Sequence, residues 1–293
     1  MELKIGVDIG GTEIKAGLVD KKGKVIKKVV VLTEAEQGKN VVIENILKAI
    51  SLVLKTKRFR KNPPIGVGCP GPLDHKNGII GDSLNLPLKN VKILDIIKKR
   101  FKTKVALDND ANCFILGEAL YGSGKGCNNL IGLTLGTGVG GGIIINRKVY
   151  HGKGNAGELG HITIKFNGMI ASCGNDGCIE EYVSGRGLIR LAESFGLRVD
   201  GPLDIYNLAL KKNPSAIHLF KEMGIYVGIE IANLVNVFDP DKIILGGSVS
   251  GAWNFFSNSL KDEVKKRAMN KSPILRGKLG KNAGIIGAAA LVR

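Results

Sequence analysis

One pattern occurs twice in this chain, and it constrains the fold more than any other feature. LKIGVDIGGTEIKAGLVD (3–20) and NLIGLTLGTGVGGGIIIN (129–146) share a shape: a short apolar strand, a glycine turn, and a second apolar strand that returns. At one fixed offset Gly6 falls on Gly132, Asp8 on Thr134 and Gly10 on Gly136. A duplicated β-hairpin predicts two similar half-molecules facing one another. The first is expected over 1–118, joined by a small-residue C-terminal helix over 282–293, and the second over 119–281.

The 41 glycines cluster after apolar, β-branched runs, which places them at strand ends and tight turns. Between the clusters, apolar residues recur at three- and four-residue spacing over 40–56, 91–101, 111–121, 216–237 and 254–268, and each stretch reads as a helix. Strands alternating with helices give an α/β fold. No apolar run approaches the roughly 20 residues of a membrane span. No charged-then-apolar leader precedes the opening strand. The expectation is a cytoplasmic protein with no membrane partner.

The net charge of +17 lies in runs such as KKGKVIKK (21–28), KTKRFRK (55–61) and KKRFKTK (98–104). Aromatic residues, at 5%, barely interleave with them, unlike a base-stacking platform. Solvated lysine faces that attract anions are expected, with no specific nucleic-acid partner. Five cysteines in a long chain argue against a secreted disulfide framework. Cys69, Cys113 and Cys127 stand alone and read as small buried hydrophobes. Cys173 and Cys178, in ASCGNDGC (171–178), have metal-like spacing.

The polar stretches carry the chemistry. In DIGGT (8–12), Gly10 and Gly11 let the backbone turn sharply and offer N–H groups to an anion, Thr12 adds a hydroxyl and Lys15 a charge. Asp8, ending the strand, suits a hydrated Mg2+ beside phosphates. The same stretch also suits an ordinary hairpin turn. Neither G-x-G-x-x-G before a helix nor GxxxxGK[ST] occurs. Gly136, Thr137 and Gly138 form a second such loop, and the pair favours nucleotide binding. Gly246 and Gly247, after the strand KIIL, suit either packing against a base or a simple strand-to-helix turn. In ALDNDANCFILGEAL (106–120), Asp110 is placed either as a helix N-cap or as a general base that deprotonates a substrate hydroxyl, with Asn109 beside it.

GVDIGGTEIKAGLVD, GCPGPLD, LDNDAN, LTLGTGVGGGIII, GELGH and CGNDGCIEEYVSG follow one another in this order. Together they resemble the ROK family of sugar kinases, within the actin–hexokinase superfamily, over essentially the whole chain. The resemblance implies a two-domain actin-like ATPase (ribonuclease H-like) fold with duplicated β-hairpin phosphate loops and an interdomain cleft. It implies Asp110 as catalytic base and Asn109 as a sugar ligand. Gly71 and Asn85 would line the sugar pocket, and Glu158, His161 and Glu180 would contact the sugar. Asp8, Gly10, Gly11, Thr12, Lys15, Gly136, Thr137 and Gly138 would hold Mg-ATP, with Gly246 and Gly247 near adenine.

His161 is also the family's first zinc ligand. The family's C-x-C-G-x-x-G-C reads A-S-C-G-N-D-G-C here, so Ala171 replaces the first cysteine. His161, Cys173 and Cys178 are then an incomplete Zn2+ set, expected to hold the ion loosely or to leave the loop to fold without it. The implied activity is ATP-dependent phosphorylation of a hexose hydroxyl, glucose to glucose 6-phosphate, by a homodimer. An N-acetylmannosamine or N-acetylglucosamine kinase is the alternative. A sugar-responsive transcriptional repressor is the remote one, since the winged-helix segment of such proteins has no room before a hairpin that begins at Ile5.

Overall fold

The twofold pattern becomes two sheets with one strand order. The computed structural model describes residues 2–83 and 86–292. Its strands are β1 (Leu3–Ile9), β2 (Glu13–Asp20), β3 (Val25–Leu32), β4 (Ile65–Cys69), β5 (Leu73–Asp74), β6 (Ile79–Ile80), β7 (Val105–Asn109), β8 (Leu130–Leu135), β9 (Val139–Ile145), β10 (Lys148–Val149), β11 (Lys242–Gly246) and β12 (Ile274–Arg276). Its helices are α1 (Lys39–Leu54), α2 (Ile93–Phe101), α3 (Asp110–Tyr121), α4 (Glu180–Val183), α5 (Gly185–Ser194), α6 (Pro202–Leu210), α7 (Pro214–Phe238), α8 (Trp253–Arg267) and α9 (Ala283–Leu291).

The sheets run β3-β2-β1-β4-β7 and β10-β9-β8-β11-β12. In each, the leading strand has its hairpin partner on one side and parallel strands on the other. The equivalence reaches the register: β1 meets β4 at Ile5↔Ile65, and β8 meets β11 at Ile131↔Ile243. Ile5 and Ile131 are the residues that the sequence offset matches. The copies diverge at their third strands, where β3 has 8 residues and β10 has 2. A small two-stranded sheet, β5-β6, follows β4.

The chain forms two compact units, one of 1–126, 142–157 and 277–293, the other of 127–141 and 158–276. The first unit thus takes in 119–126, 142–157 and 277–281 besides 1–118 and 282–293. In this unit every residue of β4 is buried, so both faces of the strand are covered. α1 contributes Val42, Ile46, Ala49, Ile50 and Val53, an apolar stripe at helical spacing that packs toward β2 and β3. Each of the Val and Ile side chains stabilises the fold by about 1.5–3 kcal/mol on full burial. α9 packs on β1 and β4, and the fit requires glycine: a Cβ on Gly6 would lie 1.8 Å from the Ile285 carbonyl oxygen, and one on Gly66 1.7 Å from that of Ala288. The small residues of AGIIGAAAL are therefore a packing requirement.

Glu118, on α3, is fully buried and ties down the approach to α9. Its Oε1 accepts the Leu279 N–H at 2.8 Å, and its Oε2 accepts those of Ser123 at 2.8 Å and Lys278 at 3.1 Å. In the second unit α7 and α8 pack together. α7 starts where the Asn213 side chain accepts the Ala216 N–H at 3.0 Å with Pro214 next, and stops where Asp239 turns left-handed before Pro240.

The expected helices are present as α1, α2, α3, α7 and α8. Periodicity did not reveal α4–α6, which are short; α5 also carries Gly185 and Gly187, residues of poor helix propensity. Among the described residues no helix is long and apolar enough to cross a membrane.

Candidate active site

In the first unit β1, β4 and β7 are parallel, so their carboxyl ends emerge along one sheet edge, where open α/β sheets bind ligands. Asp8, Gly68 and Asp108 occupy one row of the register. Just beyond that row lie the DIGGT turn, the turn at Gly71 and Asp110. Three stretches singled out in the sequence thus meet at one edge.

The DIGGT turn closes with the Gly10 N–H donating to the Glu13 carbonyl at 2.9 Å and the Thr33 hydroxyl donating to the Gly10 carbonyl at 2.7 Å. Gly11 and Thr12 are exposed, so the tip is open to a ligand. Burial raises the pKa of Asp8, while its cross-strand partner Lys15 and then Lys28 pull it down. Burial lowers the pKa of Lys28, and the charge of Lys15 lowers it further. A desolvated carboxylate beside two ammonium groups and an open glycine turn is suited to a phosphate ester and its counter-cation together.

α3 begins at Asp110, but its N-cap is Asn109, whose side-chain oxygen accepts the N–H groups of Ala111 at 2.8 Å and Asn112 at 3.4 Å. This resolves one alternative: Asn109 makes the cap that the sequence left open for Asp110. Asp110 is half-buried at the first helical position, with the Ala111 N–H 2.9 Å from its Oδ1. The capping bond uses the Asn109 oxygen and leaves its NH2 to donate. Gly71 sits in a loop whose Pro72 carbonyl accepts the Gly81 N–H at 2.8 Å. Asn85 lies outside the described residues.

Sequence reasoning missed Asp108, which is 4% exposed. It lies inside LDNDAN, where roles were read only for Asn109 and Asp110. Only a second acidic residue two positions from Asp110 marked the place. Its partner His151 is remote in sequence and belongs to no motif singled out above.

In the second unit the loop 136–138 follows β8, and Gly246–Gly247 follow the adjacent parallel strand β11. Gly247 has φ +83°, and a Cβ there would lie 2.2 Å from the Leu135 carbonyl oxygen. Only glycine lets this turn rest on the base of the hairpin loop. Opposite supports come from α4 and α5: the Gly136 carbonyl accepts the Gly185 N–H at 2.7 Å, and Glu180 Oε2 accepts the Val139 N–H at 2.8 Å. The GELGH turn also reaches Val139, since a Cβ on Gly160 would lie 2.2 Å from its carbonyl oxygen. Glu158 opens that turn, its carbonyl accepting the His161 N–H at 3.1 Å. Gly136, Thr137, Gly138, Glu158, His161, Glu180, Gly246 and Gly247 therefore belong to segments packed around one hairpin.

His161, Cys173 and Cys178 offer ligand atoms within 4.8 Å of one another, and the thiols are 3.6 Å apart. His161 Nδ1 is buried without a hydrogen-bond partner among the described residues. Burial, then the Cys173 thiol, push the Cys178 thiol up to about 11. The turn itself closes through backbone, with the Ala171 N–H donating to Asn175 at 2.8 Å and the Gly174 N–H to Ala171 at 2.9 Å. One nitrogen and two sulfurs fit zinc's preferences, and the orphaned nitrogen is a vacancy in the hydrogen bonding that a metal bond would fill.

The ROK family model matches residues 4–293. A glucokinase of Thermotoga maritima is 34% identical over 310 residues, spanning 99% of this chain and 96% of its own. A xylose repressor of Bacillus spizizenii is 33% identical over 300 residues, spanning 98% of this chain and 76% of its own. The crystal structure of a ROK family glucokinase from Streptomyces griseus in complex with glucose and AMPPNP matches with a TM-score of 0.87 and 32% identity, over 99% of this chain and 98% of that one.

Proposed function

The chain belongs to the ROK family, and on that footing we propose that it is a glucokinase-type sugar kinase that transfers the γ-phosphoryl group of ATP to a hydroxyl of glucose. The observation that carries this reading is the shared sheet edge. It sets an open glycine turn with Asp8 and Lys15 in register with the strand that delivers Asp110, and Asn109 relieves Asp110 of capping. The relatives that match nearly end to end and are named glucokinases support glucose over an N-acetylhexosamine. The retained Asp110 supports catalysis over a repressor role.

In this mechanism Asp110 takes the proton of the sugar 6-hydroxyl as that oxygen attacks the γ-phosphorus. The new O–P bond forms as the bond to the β,γ-bridging oxygen breaks, and ADP leaves. The Asn109 NH2, Glu158, His161 and Glu180 hydrogen-bond the sugar hydroxyls, with Gly71 lining the pocket. Gly10–Thr12 and Gly136–Gly138 present backbone N–H groups and hydroxyls to the phosphates, and Gly246–Gly247 lie flat beside adenine. Asp8 would hold hydrated Mg2+, which would neutralise phosphate charge. His161, Cys173 and Cys178 would hold Zn2+, loosely for want of a fourth protein ligand, and the ion would cross-link the loop. The functional form is a homodimer.

An ADP-release assay crossing hexoses and N-acetylhexosamines with ATP and polyphosphate tests the reading. Glucose with ATP is expected to turn over fastest, and Asp110→Asn to lower kcat by about 10²–10⁴-fold. Full activity in that variant, or no turnover with any hexose, would sink it.

A further inference from the structure

We propose that Asp108 and His151 form a positioning pair that holds the Asn109–Asp110 turn in its reactive geometry, with His75 stacked on His151 to fix its ring. The proposal rests on the reading of Asp110 as general base and extends it to residues to which the sequence reading gave no role.

Asp108 is the penultimate residue of β7, buried at 4% exposure, and its Oδ1 serves the catalytic turn. Oδ1 accepts the Asn109 backbone N–H at 2.8 Å and the Asn112 NH2 at 2.9 Å. These two donors flank Asp110 on either side along the chain. Oδ2 lies 2.8 Å from His151 Nε2. One carboxylate therefore ties together the end of β7, the first turn of α3 and the segment after β10. Neither bond reaches the Asp110 side chain, so Asp108 acts on it through the backbone it clamps. Small displacements of a general base cost rate steeply, about 10²-fold for 1 Å.

His151 would otherwise swing: its side chain is 27% exposed. His75 prevents this, stacking at a centroid distance of 4.2 Å and 18° between planes. The charged groups around His151 are Asp108 and Lys76, and His75 is the neighbouring titratable ring. The hydrogen bond to Asp108 raises the pKa of His151 above the usual 6.5, against burial and Lys76. Burial, then the charge of His151, lower that of His75. Both shifts favour a proton on the ring that faces the carboxylate over one on its neighbour. Losing it turns a charge-assisted bond into a neutral one of about half the strength.

The test compares His151→Phe, which keeps a stacking ring but removes the donor, with His151→Asn, whose NH2 can replace it without titrating. In the full-length enzyme His151→Phe is expected to lower kcat about 10–100-fold, with both KM values within about threefold, because positioning acts on the reacting geometry. His151→Asn is expected to recover most of that loss and to lack an ionisation above 6.5 that is expected in the wild-type kcat profile. A folded His151→Phe with wild-type kcat overturns the proposal. Should that variant not fold, the profile decides: a His151→Asn enzyme that keeps the ionisation overturns it. Asp110→Asn separates the two readings. If it stays active, the general-base assignment fails whatever His151 does. If it is inactive while His151→Phe is unimpaired, only the positioning pair fails.

Discussion

The Glu180 carboxylate accepts the Val139 N–H at 2.8 Å, so the first residue of α4 braces the start of β9, immediately after the second hairpin loop. Family resemblance assigns Glu180 to the sugar; its geometry also assigns it to the loop proposed for phosphates. A residue with both duties couples the two substrates.

Glu180→Ala is therefore expected to raise KM for ATP as well as for sugar. A hydrogen bond to a charged group contributes about 1.5–3 kcal/mol, so about 10-fold or more is expected on ATP. Glu180→Gln retains an acceptor oxygen and should spare ATP relative to sugar. Steady-state kinetics with each substrate varied decides it; an unchanged KM for ATP in Glu180→Ala would show that the brace is dispensable.

The zinc loop is expected to lose its metal readily. Dialysis against EDTA should strip most zinc from the wild type, whereas Ala171→Cys, which restores the family pattern, should retain about one per chain. Metal analysis of both samples is the measurement. Chelator-resistant zinc in the wild type would show that three ligands suffice.

Gly66→Ala tests the packing of α9. Its methyl would lie 1.7 Å from the Ala288 carbonyl oxygen, a clash that only backbone movement relieves. Overpacking of this kind costs about 1–3 kcal/mol and occasionally more. A fall in Tm is expected, read by thermal unfolding; an unaltered Tm would mean that α9 shifts freely.

Glu230, on α7, is wholly buried with neither carboxylate oxygen hydrogen-bonded among the described residues, and burial pushes its pKa from 4.5 to about 8. Below 4.5 the group is protonated folded or unfolded and does not affect stability. As pH rises from there toward about 8, the unfolded chain releases the proton and the native state keeps it, so stability falls. Glu230→Met removes this loss. Its Tm should exceed that of the wild type by a margin that grows between pH 5 and pH 8. Parallel curves across that range would show that the native carboxyl ionises freely.

Local patterns made the elements legible. The hairpin repeat, the helical stripes of α1 and α7, and the glycine turns each follow from short-range sterics and periodicity, which neighbouring residues determine. The motifs singled out the residues proposed for chemistry on the same grounds. Two details were not legible. Whether Asn109 or Asp110 caps α3 depends on a one-residue choice of helix start, within the spread of any sequence reading. The double role of Glu180 depends on a bond between residues 41 apart.

The sequence by itself determined the α/β class, the duplication and the proposed set of phosphate and sugar residues, because periodicity and turn chemistry act over a few residues. Tertiary structure alone decided what supports them. Asp108 reaches His151, Glu180 reaches Val139, and α9 lies on Gly6 and Gly66 only after sheet register and helix packing have brought distant segments within hydrogen-bond or van der Waals range. Those forces fall off within a few ångströms, and one sequence carries no direct record of which of its distant residues will come that close.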